Sequence, residues 1–200
     1  MYDFSTKMRS LRPSAIREIL KNMSDPEMIS FAGGNPAVEC FPIPDIRRYS
    51  EKILAEQPVK MLLYSTTEGI ASLRESVLRF ANRYGKISGP EDDVAILSGS
   101  QQAMDFIARL LCNEGDTVVA EDPSFVGALN SFRASGAKTV GVPMEEDGVD
   151  LAKLEEAFAA KPRPKLFYVI PNFQNPTGLV TSAAKRRAIY ELAAKYDIPV

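Results

Sequence analysis

Apolar positions in the second half of the chain fall into two alternating rhythms. Short unbroken runs predict strands over 94–97, 117–120, 139–142 and 166–170, each built largely from Val, Ile, Leu or Phe. Between them, apolar residues recur every three or four positions. That spacing predicts a helix following Gln101, with Ala103, Phe106, Ile107, Leu110 and Leu111 turned inward. It predicts further helices over 125–134, 151–158 and 183–196, the last carrying Ile189, Leu192, Ala193 and Tyr196 on one stripe. Strands without internal polar alternation, separated by helices, make a mostly parallel sheet flanked by helices, so the fold class is α/β.

The first half is less regular. Ile16, Ile19, Leu20 and Met23 follow Pro13-Ser14 at helical spacing, giving a short amphipathic helix. Prolines at 26, 36, 42, 44 and 58 then interrupt the pattern, and residues 1–60 read as an amino-terminal arm. A stronger helix carries Ile70, Leu73, Val77, Phe80, Ala81 and Tyr84 on one face and is closed by Gly85. Residues 197–200 look like a helix end followed by the first step of another strand, so the chain is expected to stop inside its own fold.

Composition narrows the possibilities. An apolar content of 45% over 200 residues is enough for a real core. The 24 basic and 26 acidic residues leave a charge of −2 and form no long run of one sign, which argues against nucleic acid and anionic membranes as partners. The absence of histidine, with only two distant cysteines, Cys40 and Cys112, removes the usual parts of zinc sites and of Ser-His or Cys-His hydrolysis. No metal site is expected. The start, Met1-Tyr2-Asp3-Phe4-Ser5, has no cationic stretch leading into an apolar leader, and no run reaches membrane length, so the chain is read as cytoplasmic.

Three turns that follow predicted strands carry the chemistry. In Gly99-Ser100-Gln101-Gln102 the exposed N–H groups of a helix start, with the Ser100 hydroxyl, suit a phosphate, although serine there also commonly caps its helix. Asp122-Pro123-Ser124-Phe125 brings an aromatic ring toward the same sheet edge, where stacking on a planar ligand and packing into the core are equally open to Phe125. Asn175-Pro176-Thr177-Gly178 offers the Asn175 amide to a ligand oxygen at a strand end, where open α/β sheets bind small molecules. A planar, phosphorylated, oxygen-bearing cofactor fits this set. A nicotinamide dinucleotide fits less well, because no G-x-G-x-x-G follows a strand.

These turns, together with Ile29-Ser30-Phe31-Ala32-Gly33-Gly34-Asn35-Pro36 and Tyr64-Ser65-Thr66-Thr67-Glu68-Gly69, occur in the order found in fold-type I pyridoxal-phosphate enzymes. The chain resembles the amino-terminal half of class I and II aminotransferases, in particular the 2-aminoadipate, kynurenine and multi-substrate subgroup. The resemblance implies residues 1–60 as the arm and part of the small domain, and 61–200 as the amino-terminal part of the cofactor-binding large domain. It implies pyridoxal 5'-phosphate as cofactor, amino acid and 2-oxo acid as substrates, and a homodimer.

By the same resemblance, Ser100 and Gln101 hold the cofactor phosphate, Phe125 stacks on its ring and Asn175 donates to its phenolic oxygen. Tyr64 reaches the phosphate in the neighbouring subunit. Gly34 and Asn35 lie near the substrate carboxylate, and Arg17 lies near the substrate entrance, where a solvated helix face is the commoner role. Relatives often carry Tyr where Phe125 stands, so only stacking survives at that position. The lysine that forms the Schiff base, the Asp that pairs with the pyridinium nitrogen and the Arg that grips the substrate carboxylate come later in the family than residue 200. Lys185 and Lys195 read as surface charges. No catalytic residue is therefore expected in the chain, and cofactor binding should be weak or absent. Two alternatives stay open: an aminotransferase-like sensing domain of a transcriptional regulator, and a pyridoxal-phosphate enzyme of another reaction type.

Overall fold

The computed structural model describes residues 3–9 and 36–200, and these fall into two compact units, one of residues 3–9 with 98–200 and the other of residues 36–97. Residues 98–200 contain the sheet. Strand β1 (Thr117–Asp122) lies between β2 (Lys138–Glu145) and β4 (Leu166–Tyr168) and is parallel to both, with Val119 opposite Val140 on one side and Val118 opposite Leu166 on the other. A two-residue strand, β3 (Gly148–Val149), pairs antiparallel with β2 and completes the order β3-β2-β1-β4.

Strand residues alternate between faces, and each face meets a helix pair. Val118 and Leu166 pack with Met104 and Ala108 of α5 (Ser100–Leu111) and with Ala128 and Phe132 of α6 (Val126–Ala134). Val119 and Phe167 face the other way, against Leu154 and Phe158 of α7 (Leu151–Ala159) and Ile189 and Ala193 of α8 (Ala183–Tyr196). Phe158 and Phe167 meet edge to face at 5.7 Å, a geometry that adds to the area they bury. Asp150 and Ser182 cap α7 and α8 by accepting the Lys153 and Lys185 amides. This is the expected α/β sheet with helices on both faces.

The remaining elements are helices: α1 (Thr6–Arg9), then α2 (Ile43–Glu56), α3 (Pro58–Leu62) and α4 (Ala71–Ala81) within 36–97, preceded by a 3₁₀ turn at Val38–Cys40. Several expectations need correction. The arm contains the 14-residue helix α2, because Pro44 and Pro58 stand in the first turns of α2 and α3, where a missing N–H costs nothing. Residues 94–97 form no ladder among the described residues: Ile96 donates to the Glu68 carbonyl at 2.8 Å and the segment stays outside the sheet. The buried face of α5 is Met104 and Ala108, while Phe106, Ile107 and Leu110 are exposed. The amphipathic helix expected after Pro13 lies outside the described residues. Among the described residues no helix is long and apolar enough to cross a membrane, and no His, Cys, Asp or Glu cluster could hold a metal ion.

Candidate functional site

Short connections place the site at one edge of the sheet. Five residues link the end of α5 to β1, and three link β1 to α6, so both helices run back against the strand and begin near its carboxyl end. The side chains bear this out: the Gln101 amide donates to the Gly127 carbonyl at 3.1 Å and to the Ser131 hydroxyl at 2.8 Å. A Cβ on Gly127 would stand 2.5 Å from both Gln101 Oε1 and the edge of the Phe125 ring, so only glycine lets amide and ring meet there.

Helix α5 opens at Gly99, whose φ of +80° suits glycine and whose would-be Cβ meets nothing within 4 Å. Ser100 is the first helical residue and the N-cap position belongs to Gly99, and among the described residues no side chain bonds to the first N–H groups of the helix, so the capping alternative for this serine does not hold. The Gln101 side chain is spent on α6, which leaves its main-chain N–H as the group at the helix start. Phe125 is half-buried and packs against the Met104–Phe132 cluster, as well as lying over Gly127.

Asn175 is exposed in a tight turn after β4. Gln174 closes the turn on both sides: its N–H donates to the Leu179 carbonyl at 2.8 Å and its carbonyl accepts the Gly178 N–H at 2.6 Å. The buried Gln174 side chain donates to the Pro123 carbonyl at 2.8 Å and to Glu121 Oε2 at 3.1 Å, tying this turn to the one that carries Phe125. Burial pushes the Glu121 carboxyl above the usual carboxylate range, against hydrogen bonds from Gln174 and the Ile170 N–H that pull it down. That Ile170 N–H bonds to Glu121 Oε2 at 3.1 Å, and β4 ends at Tyr168 rather than at the expected 170. Glu121, Gln174 and Gly127 were not anticipated from the sequence. A charged residue ending the run Thr117-Val118-Val119-Ala120 was the one available signal.

Tyr64 belongs to the 36–97 unit, fully exposed, beside a hollow of about 1030 Å³ lined by Lys60, Leu63, Ser65 and Thr66 among others. Arg17, Gly34 and Asn35 lie outside the described residues. Lys185 corrects an expectation: it is buried, not a surface charge, and pairs with Glu145 and Asp147 while donating to the Val149 carbonyl at 2.9 Å. Burial alone would lower its pKa, but the two carboxylates outweigh this and hold it above the ordinary lysine value. Lys195 is exposed and bonds to Glu155 at 2.6 Å.

The family model for aminotransferase class I and II matches residues 26–200. Aromatic-amino-acid aminotransferase 1 of Thermococcus litoralis is 36% identical over 198 residues, which cover 97% of this chain and 48% of the relative. The crystal structure of kynurenine aminotransferase from Pyrococcus horikoshii superposes with a TM-score of 0.88 at 36% identity, covering 98% of this chain and 49% of that one. The α-aminoadipate aminotransferase of Thermus thermophilus, solved with N-(5'-phosphopyridoxyl)-L-leucine, gives 0.85 at 37% identity, covering 98% and 47%. Regulatory proteins also match, at 26–27% identity. The chain spans about half the length of these aminotransferases.

Proposed function

Because the chain belongs to the class I and II aminotransferase family, we propose that it forms the amino-terminal part of a pyridoxal-phosphate enzyme that moves an amino group between an amino acid and a 2-oxo acid. The observation that carries this reading is the meeting of three turns at one sheet edge, joined by Gln101 across Gly127 and by Gln174 across Pro123. The donor set suits the cofactor. An uncapped helix start with open space above Gly99 and the Ser100 hydroxyl favours a phosphate, while the half-buried Phe125 ring and the exposed Asn175 amide suit a flat ring bearing an oxygen. The cofactor, when bound, supplies an electron sink for the substrate α-carbon.

In this reading the main-chain N–H of Gln101 and the Ser100 hydroxyl hold the phosphate, Phe125 limits the tilt of the ring, and Asn175 donates to the ring oxygen. Tyr64 serves the site of a partner in a homodimer, and Gly34, Asn35 and Arg17 line the substrate side. Residues 1–60 act as arm and part of the small domain and 61–200 as part of the large domain, in a cytoplasmic protein. The cofactor-anchoring lysine, the Asp for the ring nitrogen and the Arg for the substrate carboxylate are assigned to no residue of 1–200. Lys185 is an unsuitable anchor because it is buried, ion-paired and held protonated.

The test has two arms. The full-length reading frame is assayed with a panel of amino acids and 2-oxoglutarate, and amino transfer from at least one donor is expected. No transfer from any donor would overturn the reading. The 200-residue chain, treated with pyridoxal phosphate and borohydride, is expected to give no saturable adduct on one lysine. A second reading, a ligand-sensing domain, has the matches to regulatory proteins in its favour. A helix-turn-helix segment encoded upstream of Met1 in the same frame would favour it over the enzyme.

A further inference from the structure

Two side chains beneath the site, Glu121 and Gln174, are each 2% exposed and too deep to touch a ligand. Every hydrogen-bonding position of the Gln174 amide is used. Its Nε2 donates to Glu121 Oε2 and the Pro123 carbonyl, and its Oε1 accepts the Thr177 N–H at 2.9 Å and the Thr177 hydroxyl at 2.7 Å. Glu121 Oε2 takes the Ile170 N–H as well, so one carboxyl oxygen fixes both the segment just after β4 and the start of the turn. Asn175 is the residue next to this anchor, and 53 positions of sequence separate the two partners.

We propose that Glu121 and Gln174 are a positioning pair that pins the Asn175 turn to the end of β1 and thereby sets where the Asn175 amide meets the cofactor oxygen. This deepens the reading above and rests on it. The pair links the strand that leads to Phe125 with the turn that carries Asn175, so ring stacking and oxygen contact are held in one frame. A carboxyl oxygen suits the task, because Oε2 alone accepts both the Gln174 amide and the Ile170 N–H. Among the described residues Glu121 Oε1 has no partner, so the hydrogen bonds of the carboxyl all run through Oε2.

The full-length holoenzyme, loaded with pyridoxal phosphate, is titrated by its visible absorption in four variants. Asn175→Ala and Gln174→Ala are expected to shift the band's pH midpoint in the same direction by roughly one unit, the scale of one hydrogen bond. Glu121→Ala is expected to follow them, while Glu121→Gln, which keeps an acceptor for Gln174 and Ile170, stays near the parent value. In the cofactor-free 200-residue chain, Gln174→Ala should speed amide exchange at Thr177 roughly tenfold. If Asn175→Ala moves the band and Gln174→Ala does not, the positioning pair is refuted while the cofactor reading stands. A band unmoved by Asn175→Ala would overturn both. Unchanged exchange at Thr177 would overturn the pair without reference to the cofactor. Should Glu121→Ala fail to fold, Gln174→Ala and Glu121→Gln decide the outcome between them.

Discussion

Residues 98–200 and residues 36–97 carry similar amphipathic helices but put them to different use. In the first, α5 to α8 close over both faces of a sheet, and Phe132, Phe158 and Phe167 are about 1% exposed. In the second, no described side chain is buried, and Ile46, Leu62, Phe80 and Tyr84 remain exposed along α2 to α4 and the chain after it. Period in a sequence shows which face of a helix is apolar, but burial needs an opposing surface, which a helix cannot encode by itself. The contrast predicts where energy is stored: Phe167→Ala should destabilise the chain by about 3–5 kcal/mol, and Phe80→Ala, at 65% exposure, by less than about 0.5 kcal/mol. Urea unfolding followed by far-ultraviolet circular dichroism measures both. Equal losses would mean that 36–97 has a core of its own.

Buried charge separates the regions in the same way. Lys185 sits under the β2–β3 hairpin, holding Glu145, Asp147 and the Val149 carbonyl, whereas Lys60 of α3 is exposed. Lys185→Ala leaves a buried carbonyl unpaired and should cost about 1–3 kcal/mol in the same urea assay, with Lys60→Ala near zero. The raised pKa of Lys185 means its contribution is complete at neutral pH and is lost only as pH rises through the folded-state value, above the ordinary lysine pKa. A cost for Lys185→Ala as small as that for Lys60→Ala would show the ion pairs to be decorative.

What could be read in advance follows the same division. Helix α8 matched its expected span because a four-residue stripe and the Ser182 cap agree. The α/β class was legible because Val118-Val119-Ala120 and Leu166-Phe167 are apolar on both faces. The segment 94–97 was misread because an apolar run reports burial preference and not a ladder partner. Prolines 44 and 58 read as breaks in a sequence although the same residue also starts helices, and this hides α2. Turn chemistry singles out Ser100, Phe125 and Asn175 as candidates, but the groups that tie their turns together leave no local signal. Gln101 reaches Ser131 across 30 positions and Gln174 reaches Glu121 across 53, and no local pattern encodes such pairs.

The finest test of the comparison uses two acids displaced in opposite directions. Asp93, exposed in 36–97, is held below the usual carboxylate range by the Val94 N–H and by Arg74, so its contribution is present at neutral pH and fades as pH falls through the lowered value. Glu121, in the buried region, is held above that range by burial. Its folded form keeps a proton that the unfolded chain releases near pH 4.3, so stability falls as pH rises from about 4.3 to the folded-state value. Urea midpoints from about pH 2 to pH 7 should therefore show Glu121→Gln gaining on the parent as pH rises above about 4.3, and running parallel to it once the folded-state value is passed. Asp93→Asn should instead lose ground as pH rises from the acid limit, and level off above the ordinary aspartate pKa. If both differences ran the same way, burial would not be what distinguishes the two regions, and the carboxyl beneath the Asn175 turn would be wetter than its 2% exposure implies.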